Sequence, residues 1–252
     1  MKNNSIIYTE DLSKSFFKKN KLVEAVKNVS INIYNDEILG IVGQSGCGKT
    51  TLLRSILQLS KPDSGKVFFK NREINSLSDK ELIHVFRPFV RMVYQHPEAS
   101  LNPGLKVKKI IEQPFVHYFP DQADISSLKS KEILEKMGLS SSYLNKYQHE
   151  LSGGEKRRVA LARALVTNPK IIFADEPLAG LDKVLQYRLL SLLINLKEQH
   201  KFALVMVSHD IDIMKDICDR IIVMKDGIVI EETIRSNGEI SFSHLYSKKL
   251  IS

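Results

Sequence analysis

Hydrophobic positions along the chain follow two patterns, and their succession predicts an α/β fold. Short apolar runs rich in β-branched residues are typical of buried strands, and they occur at residues 38–42, 90–94, 170–174, 202–207 and 221–224. Apolar positions at helical spacing follow at 185–199 and 210–217. Because strands that alternate with helices usually pair in parallel, the pattern predicts a mostly parallel sheet.

The N-terminal third departs from this alternation. Residues 29–34 alternate strictly between apolar and polar, and apolar runs at 6–8 and 67–69 also favour strands. Short turns between them predict an antiparallel β subdomain. Residues 79–86 predict a short helix whose N-cap is Ser78.

The middle of the chain has almost no strand signal and predicts an inserted α-helical subdomain. Helical patterns cover 107–119, 130–137 and 155–166. The final polar stretch, from 231 onwards, is expected to be only partly ordered. We therefore predict a single domain over 1–252 with these parts: a nucleotide-binding core at 5–95 and 169–232, the helical subdomain at 96–168, and a short C-terminal tail at 233–252.

The loop after the strand at 38–42 carries a phosphate-binding pattern. It matches G-x-x-x-x-G-K-[ST], with a helix expected from Thr51, and reads Gly43-Gln44-Ser45-Gly46-Cys47-Gly48-Lys49-Thr50. Glycines let several backbone N–H groups face one concavity at the start of a helix, which favours an anion. We expect Lys49 to reach the β and γ phosphates and the Thr50 hydroxyl to bind Mg²⁺.

Two adjacent carboxylates, Asp175 and Glu176, end the apolar run at 170–174. Ligands of open α/β sheets lie beyond this end of the strands. Asp175 is expected to hold Mg²⁺, and Glu176 to orient or deprotonate the attacking water. The alternative is a solvated acidic turn ahead of Pro177.

A second anion site is predicted at Ser152, Gly153 and Gly154, which open an arginine-rich helix. Ser152 is a good N-cap, and the two glycines expose the N–H groups of the helix start. This site need not face the first one within the same chain. The alternative is an ordinary capped helix.

Composition narrows the classes of function. The formal net charge is +8, yet lysines are spread along the chain without a basic stripe that includes aromatic residues. This distribution favours attraction to anionic lipid headgroups over nucleic-acid binding. Two cysteines form no disulfide framework, and neither an apolar run of about 18 residues nor a signal-peptide core is present, so we expect a cytoplasmic protein.

Together these motifs resemble those of the ATP-binding subunits of ABC transporters. The matching segments are GQSGCGKT, Gln95, LSGGE, ADEP, Leu181-Asp182 and Ser208-His209-Asp210, and the resemblance covers roughly residues 5–232. It implies a P-loop ATPase that binds ATP and Mg²⁺ and hydrolyses ATP. It also implies a head-to-tail dimer in which ATP lies between the P-loop of one subunit and the LSGGE of the other.

The resemblance also implies roles for single residues. Ser152 and Gly154 would contact the γ-phosphate across the dimer interface. Gln95 would touch Mg²⁺ and water, and His209 would hydrogen-bond the γ-phosphate. Asp182 would lie at the dimer seam.

An aromatic side chain that stacks on adenine is also implied by the resemblance. Phe16 matches its position, and Phe17 is a substitute. The alternative for Phe16 is a half-buried core side chain.

Segments at 92–97, 99–103 and 181–186 resemble importers of oligopeptides, dipeptides and nickel. The tail at 243–250 resembles the His-Pro-Tyr-Thr…Leu motif of those subunits, with Leu245 where Pro is usual. The absence of a long cysteine-bearing extension favours the nickel or metal-chelate branch. Pro177-Leu178-Ala179-Gly180 departs from the common Pro-Thr-Ser-Ala.

This resemblance implies integral membrane permeases, an identical or different second ATPase subunit and an extracytoplasmic substrate-binding protein as partners. The chain would lie at the cytoplasmic face of the cell membrane, with no nucleic acid bound. Two alternatives stay open: a soluble ABC-type ATPase that acts on nucleic acid or the ribosome, and a cassette that binds ATP without hydrolysing it.

Overall fold

The chain divides into two structural units. The computed structural model describes residues 5–18, 21–94 and 97–250. Unit 1 combines Met1–Leu82 with Phe202–Ser252, and unit 2 is Ile83–Lys201. Within the described ranges, no helix has both the length and the apolarity to cross a bilayer.

An antiparallel sheet forms the N-terminal part of unit 1, as the sequence predicts. The long strand β1 pairs antiparallel with β2, β3 and β5, and β5 pairs antiparallel with β6. The elements of this part are β1 (Ser5–Lys18), β2 (Lys21–Val29), β3 (Asn32–Tyr34), β4 (Ile38–Val42), α1 (Lys49–Ile56), β5 (Ser64–Phe69), β6 (Arg72–Glu73) and α2 (Asp79–Val85).

The predicted strand at 29–34 is only partly right. Burial does alternate along it, but the chain leaves β2 at Val29 and starts β3 at Asn32. The strand β2 itself was not predicted, because its sequence KLVEAVKNV lacks a simple alternation and its place depends on pairing with β1. Asn28, with φ of 47°, introduces an irregular turn of the backbone before Val29.

Unit 2 contains two parallel strands and four α-helices among its described residues, and three of these helices lie in the segment predicted to be helical. Its core includes Ile111 and Phe115 of α3, Leu134 of α4 and Val159 of α5, all buried. The elements of this unit are β7 (Val90–Val93), α3 (Val107–Tyr118), α4 (Ser126–Lys136), α5 (Gly153–Leu165), β8 (Ile171–Asp175) and α6 (Lys183–His200).

The chain then returns to unit 1 and completes its parallel strands. The elements are β9 (Ala203–Ser208), α7 (Ile211–Ile217), β10 (Arg220–Lys225), β11 (Ile228–Ile234) and α8 (Leu245–Lys249). β4 lies between β9 and β10 and is parallel to both, while β11 runs antiparallel to β10. Every residue of β4 is buried, as its continuous apolar run requires of a strand covered on both faces.

The C-terminal tail is more regular than the sequence predicts. Ile240 and Phe242 are buried, and the chain continues into α8. The expectation of partial order was therefore wrong for the residues up to 250. That expectation followed from the polar composition of the tail. Two buried apolar side chains and the carboxylate of Glu231 nevertheless hold the segment in place.

A buried ion pair joins the strands of unit 1. The guanidinium of Arg220 donates to Glu37 at 2.8 and 3.2 Å, to Glu232 at 2.6 Å and to the carbonyl of Asn32 at 2.5 Å. Arg220 is 3% exposed. Because its charge is fully paired, the arrangement is tolerated inside the protein, and removal of one partner leaves a buried charge.

We predict that Arg220→Ala lowers the free energy of unfolding by about 3–5 kcal/mol, since Glu37 is left buried and unpaired. Arg72→Ala is the matched control, because its contact with Glu81 spans 3.7 Å between half-exposed side chains and should contribute less than about 1 kcal/mol. Urea unfolding followed by circular dichroism measures both. Equal losses in the two variants would contradict the role of the buried pair.

Candidate active site

The P-loop follows β4 directly and leads into α1. The loop covers residues 43–48, and Lys49 is the first residue of α1. The turn between β10 and β11 contacts the backbone of the P-loop, because Gly227 N–H donates to the Cys47 carbonyl at 3.0 Å. Ser45 and Gly46 are exposed at the mouth of the loop. The main-chain N–H groups at the start of α1 form the kind of cradle that binds phosphate.

Lys49 lies across this cradle. Its side chain is buried, and its ammonium donates to the carbonyls of Gly43 at 2.7 Å and Gln44 at 2.9 Å. The Cys47 sulfur is 3.8 Å away. The amine is therefore held over the loop by neutral acceptors, and a phosphate oxygen can replace these contacts with a stronger charged one.

Two of the glycines are required by contacts within the chain. A Cβ at Gly48 would lie 2.0 Å from the carbonyl oxygen of Ala25, and a Cβ at Gly43 would lie 2.3 Å from that of Met224. Gly48 also has φ of 110°. Gly46 differs, because within the described part of the chain no atom beyond its two neighbours lies within 4 Å of the place its Cβ would occupy.

His209 emerges at the same edge of the parallel strands as the P-loop. Val42, the last residue of β4, pairs with Ser208, the last residue of β9. Gly43 and His209 are the next residues of these neighbouring strands. His209 is exposed at this edge, where an imidazole can donate to a phosphate oxygen.

The two candidate adenine-stacking residues lie on β1. Phe16 is 43% exposed and Phe17 is 83% exposed. The ammonium of Lys14 lies 5.4 Å from the centre of the Phe16 ring and forms an ion pair with Asp63 at 2.7 Å. That hydrogen bond is the main reason why the pKa of Asp63 is lowered. Since neighbouring side chains of a strand face opposite sides, the two rings present different faces of the sheet.

Within unit 2, Asp175 ends β8 and Glu176 follows it. β7 and β8 are parallel, and Val93 pairs with Ala174. Glu176 has φ of 46°, a left-handed conformation that non-glycine residues adopt at an energetic cost and that recurs at functional sites. Gln95, predicted two residues after Val93, lies outside the described residues.

Ser152, Gly153 and Gly154 form the exposed N-terminus of α5. Ser152 caps the helix: Glu155 N–H donates to its hydroxyl at 3.3 Å, and Ser152 N–H donates to the Glu155 carboxylate at 2.7 Å. The Tyr143 hydroxyl also donates to Glu155 at 2.6 Å and is the main cause of the lowered pKa of that carboxyl group. Ser152 is therefore the N-cap that the sequence predicts.

Apart from the neighbouring backbone of α5, no atom of the described residues lies within 4 Å of the places where a Cβ of Gly153 or Gly154 would stand. The fold of this chain therefore does not require glycine at either position. A cavity of about 510 Å³ opens beside the two glycines and includes the basic residues Lys136, Arg157, Arg158 and Arg188 in its lining. Both features suit the close approach of an anion from outside.

Asp182 has a local role in the structure, as the N-cap of α6. Its carboxylate accepts a hydrogen bond from Leu185 N–H at 2.9 Å. The side chain is exposed. Capping and a contact with another subunit are compatible, because a carboxylate has two oxygens.

Sequence reasoning missed the residues that hold the P-loop from behind. They are Gly227 in the β10–β11 turn, whose N–H donates to the Cys47 carbonyl, and Met224 of β10, whose carbonyl oxygen packs against Gly43. Nothing in the local pattern of residues 224–227 indicates that this turn reaches the P-loop.

We predict that Gly48→Ala destabilises the protein by about 2 kcal/mol more than Gly46→Ala. Both residues have positive φ, so each variant carries a backbone cost of about 1 kcal/mol. Only the Gly48 variant also forces the Ala25 carbonyl to move, which adds an overpacking cost of about 1–3 kcal/mol. Free energies of unfolding in urea measure the difference, and equal values would show that the loop is not packed as described.

Comparisons with known proteins agree with this arrangement. The ABC transporter family matches residues 26–179. The oligopeptide transport ATP-binding protein AppF of Bacillus subtilis (strain 168) is 38% identical over 230 residues, which cover 91% of this chain and 70% of that protein. OppF of Streptococcus mutans serotype c is 37% identical over 251 residues, covering 98% of this chain and 80% of that protein.

A solved structure is similar as well. It is the dimeric post-hydrolysis state of the ATP-binding cassette MJ0796 bound to ADP and Pi. The TM-score is 0.80 and the sequence identity is 33%, and the match covers 91% of this chain and 99% of that chain. The predicted α/β cassette fold and the predicted ligands ATP and Mg²⁺ are confirmed. The chain belongs to the ABC transporter family, as one of its ATP-binding, ATP-hydrolysing subunits.

Proposed function

We propose that this chain drives an importer of oligopeptides by binding and hydrolysing ATP in a head-to-tail pair of cassettes. The observation that carries the proposal is that each of the two units has a helix N-terminus suited to an anion. One is the P-loop with Lys49, and the other is the exposed N-terminus of α5 at Ser152. The glycines at 153 and 154, which the chain's own packing does not require, support contact with a group from a second subunit.

The P-loop residues are proposed to hold the triphosphate. Backbone N–H groups from Gly43 to Thr51 bind the phosphate oxygens, and Lys49 exchanges its two carbonyl acceptors for β- and γ-phosphate oxygens. Phe16 is proposed to stack on adenine. The partner's equivalents of Ser152 and Gly154 complete the site around the γ-phosphate.

Oxygen donors suit Mg²⁺, and the residues proposed to hold it are Thr50, Asp175 and Gln95. When bound, Mg²⁺ neutralises part of the charge that develops on the phosphate oxygens. The hydroxyl of Thr50 stands at the start of α1, next to the buried Lys49. This hard-oxygen set fits Mg²⁺ better than a soft metal.

Glu176 is proposed as the general base. It accepts a proton from water, the resulting hydroxide attacks the γ-phosphorus, and the bond between that phosphorus and the β–γ bridging oxygen breaks to release ADP and phosphate. His209 donates to the γ-phosphate during this step. Its position one residue beyond the Val42–Ser208 pair supports the assignment.

We propose peptides as the cargo because of the names of similar proteins. Several proteins with 34–38% identity over most of this chain are described as oligopeptide or dipeptide transport ATP-binding proteins. By this proposal the chain works at the cytoplasmic face of the membrane with two permeases, a second ATPase subunit of the same or a different kind, and a substrate-binding protein outside.

We predict that Glu176→Gln lowers ATP turnover about a hundred-fold or more, since the general base is lost, while ATP still binds and holds the dimer together. Steady-state ATPase assays on the assembled transporter and size-exclusion chromatography with ATP measure the two effects. Glu198→Gln, an exposed position on α6, is the control and should keep full activity. Turnover at the wild-type rate in the Glu176 variant would remove this residue from the mechanism.

The cargo is tested in cells that lack the chromosomal copy of this chain. Re-expression should restore uptake of labelled tri- to pentapeptides, whereas the Lys49→Ala variant should not, because ATP hydrolysis needs the ammonium. Uptake of ⁶³Ni²⁺ is measured in the same cells. Restoration of nickel uptake without peptide uptake would overturn the peptide assignment and support the metal branch.

A further inference from the structure

Phe16 lies close to the P-loop, because strand β2 connects the two. Phe16 pairs with Val23 in the antiparallel ladder between β1 and β2. Two residues further along β2, the carbonyl oxygen of Ala25 lies 2.0 Å from the place that a Cβ of Gly48 would occupy. Two residues of a strand span about 7 Å. The exposed ring of Phe16 is therefore placed beside the loop, where the base of a bound nucleotide could meet it.

The ladder between β1 and β2 is irregular immediately before Phe16. Its register passes from the Lys14–Val26 pair to the Ser15–Glu24 pair, so the residue at 25 is the extra residue of a β-bulge. A bulge bends its strand and redirects the side chains next to it. The direction of the Phe16 ring therefore depends on how this bulge is held.

Asp63, in the turn before β5, holds the β1 side of the bulge at three points. Its N–H donates to the Ser13 carbonyl at 2.9 Å. Its two carboxylate oxygens accept from the Ser15 N–H at 2.6 Å and from the Lys14 ammonium at 2.7 Å. These last two contacts lower the pKa of Asp63, the one from Lys14 most of all. One side chain and its own backbone thus fix three consecutive residues that end next to Phe16.

Lys14 extends this constraint to the aromatic ring itself. Its side chain is 16% exposed, and its ammonium lies 5.4 Å from the centre of the Phe16 ring. A cation at this distance favours the position in which a face of the ring is turned towards it. The Asp63 carboxylate therefore acts on Phe16 by two routes, through the backbone N–H of the preceding residue and through the ammonium of Lys14.

We propose that Asp63 is a positioning residue for the base of ATP, which fixes the bulge before Phe16 and thereby the place of its ring beside the P-loop. The inference rests on the proposed stacking of Phe16 on adenine, and it depends neither on the cargo nor on the second subunit. The alternative is that Asp63 only stabilises the sheet. In that case its loss would affect all ligands of the P-loop alike, or none of them.

The test measures the binding of two ligands to the purified chain by isothermal titration calorimetry, ATP and inorganic tripolyphosphate, each with Mg²⁺. Both present a triphosphate to the loop, but only ATP carries a base. Asp63→Ala should raise the Kd for ATP by about three- to ten-fold, because part of an aromatic stacking contact is lost. The Kd for tripolyphosphate should stay unchanged, which also shows that the loop of the variant is folded.

A double-mutant cycle identifies the route of the effect. Asp63→Ala should add little to the Kd for ATP in a chain that already carries Phe16→Ala, since the ring that it positions is absent. Asp63→Asn keeps an oxygen that can accept from the Ser15 N–H and should raise the Kd less than Asp63→Ala does. Glu73→Ala is the matched control, because it removes another ion pair of the same sheet, with Lys66 at 3.2 Å, and it should leave both Kd values unchanged.

Three results would overturn the proposal. They are an unchanged Kd for ATP in Asp63→Ala, an equal rise in the Kd values for ATP and tripolyphosphate, and an undiminished effect of Asp63→Ala in the chain that carries Phe16→Ala. A Phe16→Ala variant that binds ATP as tightly as the wild-type chain would instead overturn the stacking role on which the inference rests. Failure of the wild-type chain to bind ATP would count against the proposed function itself. The failures are therefore distinguishable.

Discussion

The structure depends on a steric constraint at the P-loop: main-chain N–H groups can surround a phosphate only where side chains stay out of the way. The loop meets this constraint by packing tightly against its own unit. The Ala25 carbonyl occupies the space that a side chain at 48 would need, and the Met224 carbonyl does the same at 43. The cradle is thus shaped by strands β2 and β10 before any ligand arrives, which lowers the cost of ordering it on binding.

The glycines of the second half-site have a different physical origin. Those at 153 and 154 face open space, and α5 would form equally well, or better, with alanine at these positions. A glycine that the fold does not require is expected where another molecule approaches the backbone closely. Gly43 and Gly48 are thus required by the packing of the chain itself, whereas the glycines at 153 and 154 are not, which supports their proposed contact with a second subunit.

Much of the fold and of the site could be predicted because their signals are local. The apolar run of β4, the motif that follows it, the capping residue Ser152 and the strand that ends at Asp175 are each contained within a few neighbouring residues. The alternation from Val29 to Tyr34 was also correct, although the strand is interrupted. The position of β2 could not be derived, because it depends on its register with β1, and the tail was misjudged from its polarity. The hydrogen bond from Gly227 N–H to the Cys47 carbonyl joins residues far apart in the sequence, and no periodicity predicts such a pair.

The central claim is that one ATP is bound by half-sites of two different subunits. The most direct measurement is an experimental structure of the assembled transporter with Mg²⁺ and a non-hydrolysable ATP analogue. The account predicts that the γ-phosphate lies between Lys49 of this chain and the signature serine of a second ATPase subunit, whether identical or different. A γ-phosphate contacted by Lys49 and Ser152 of the same chain would contradict it.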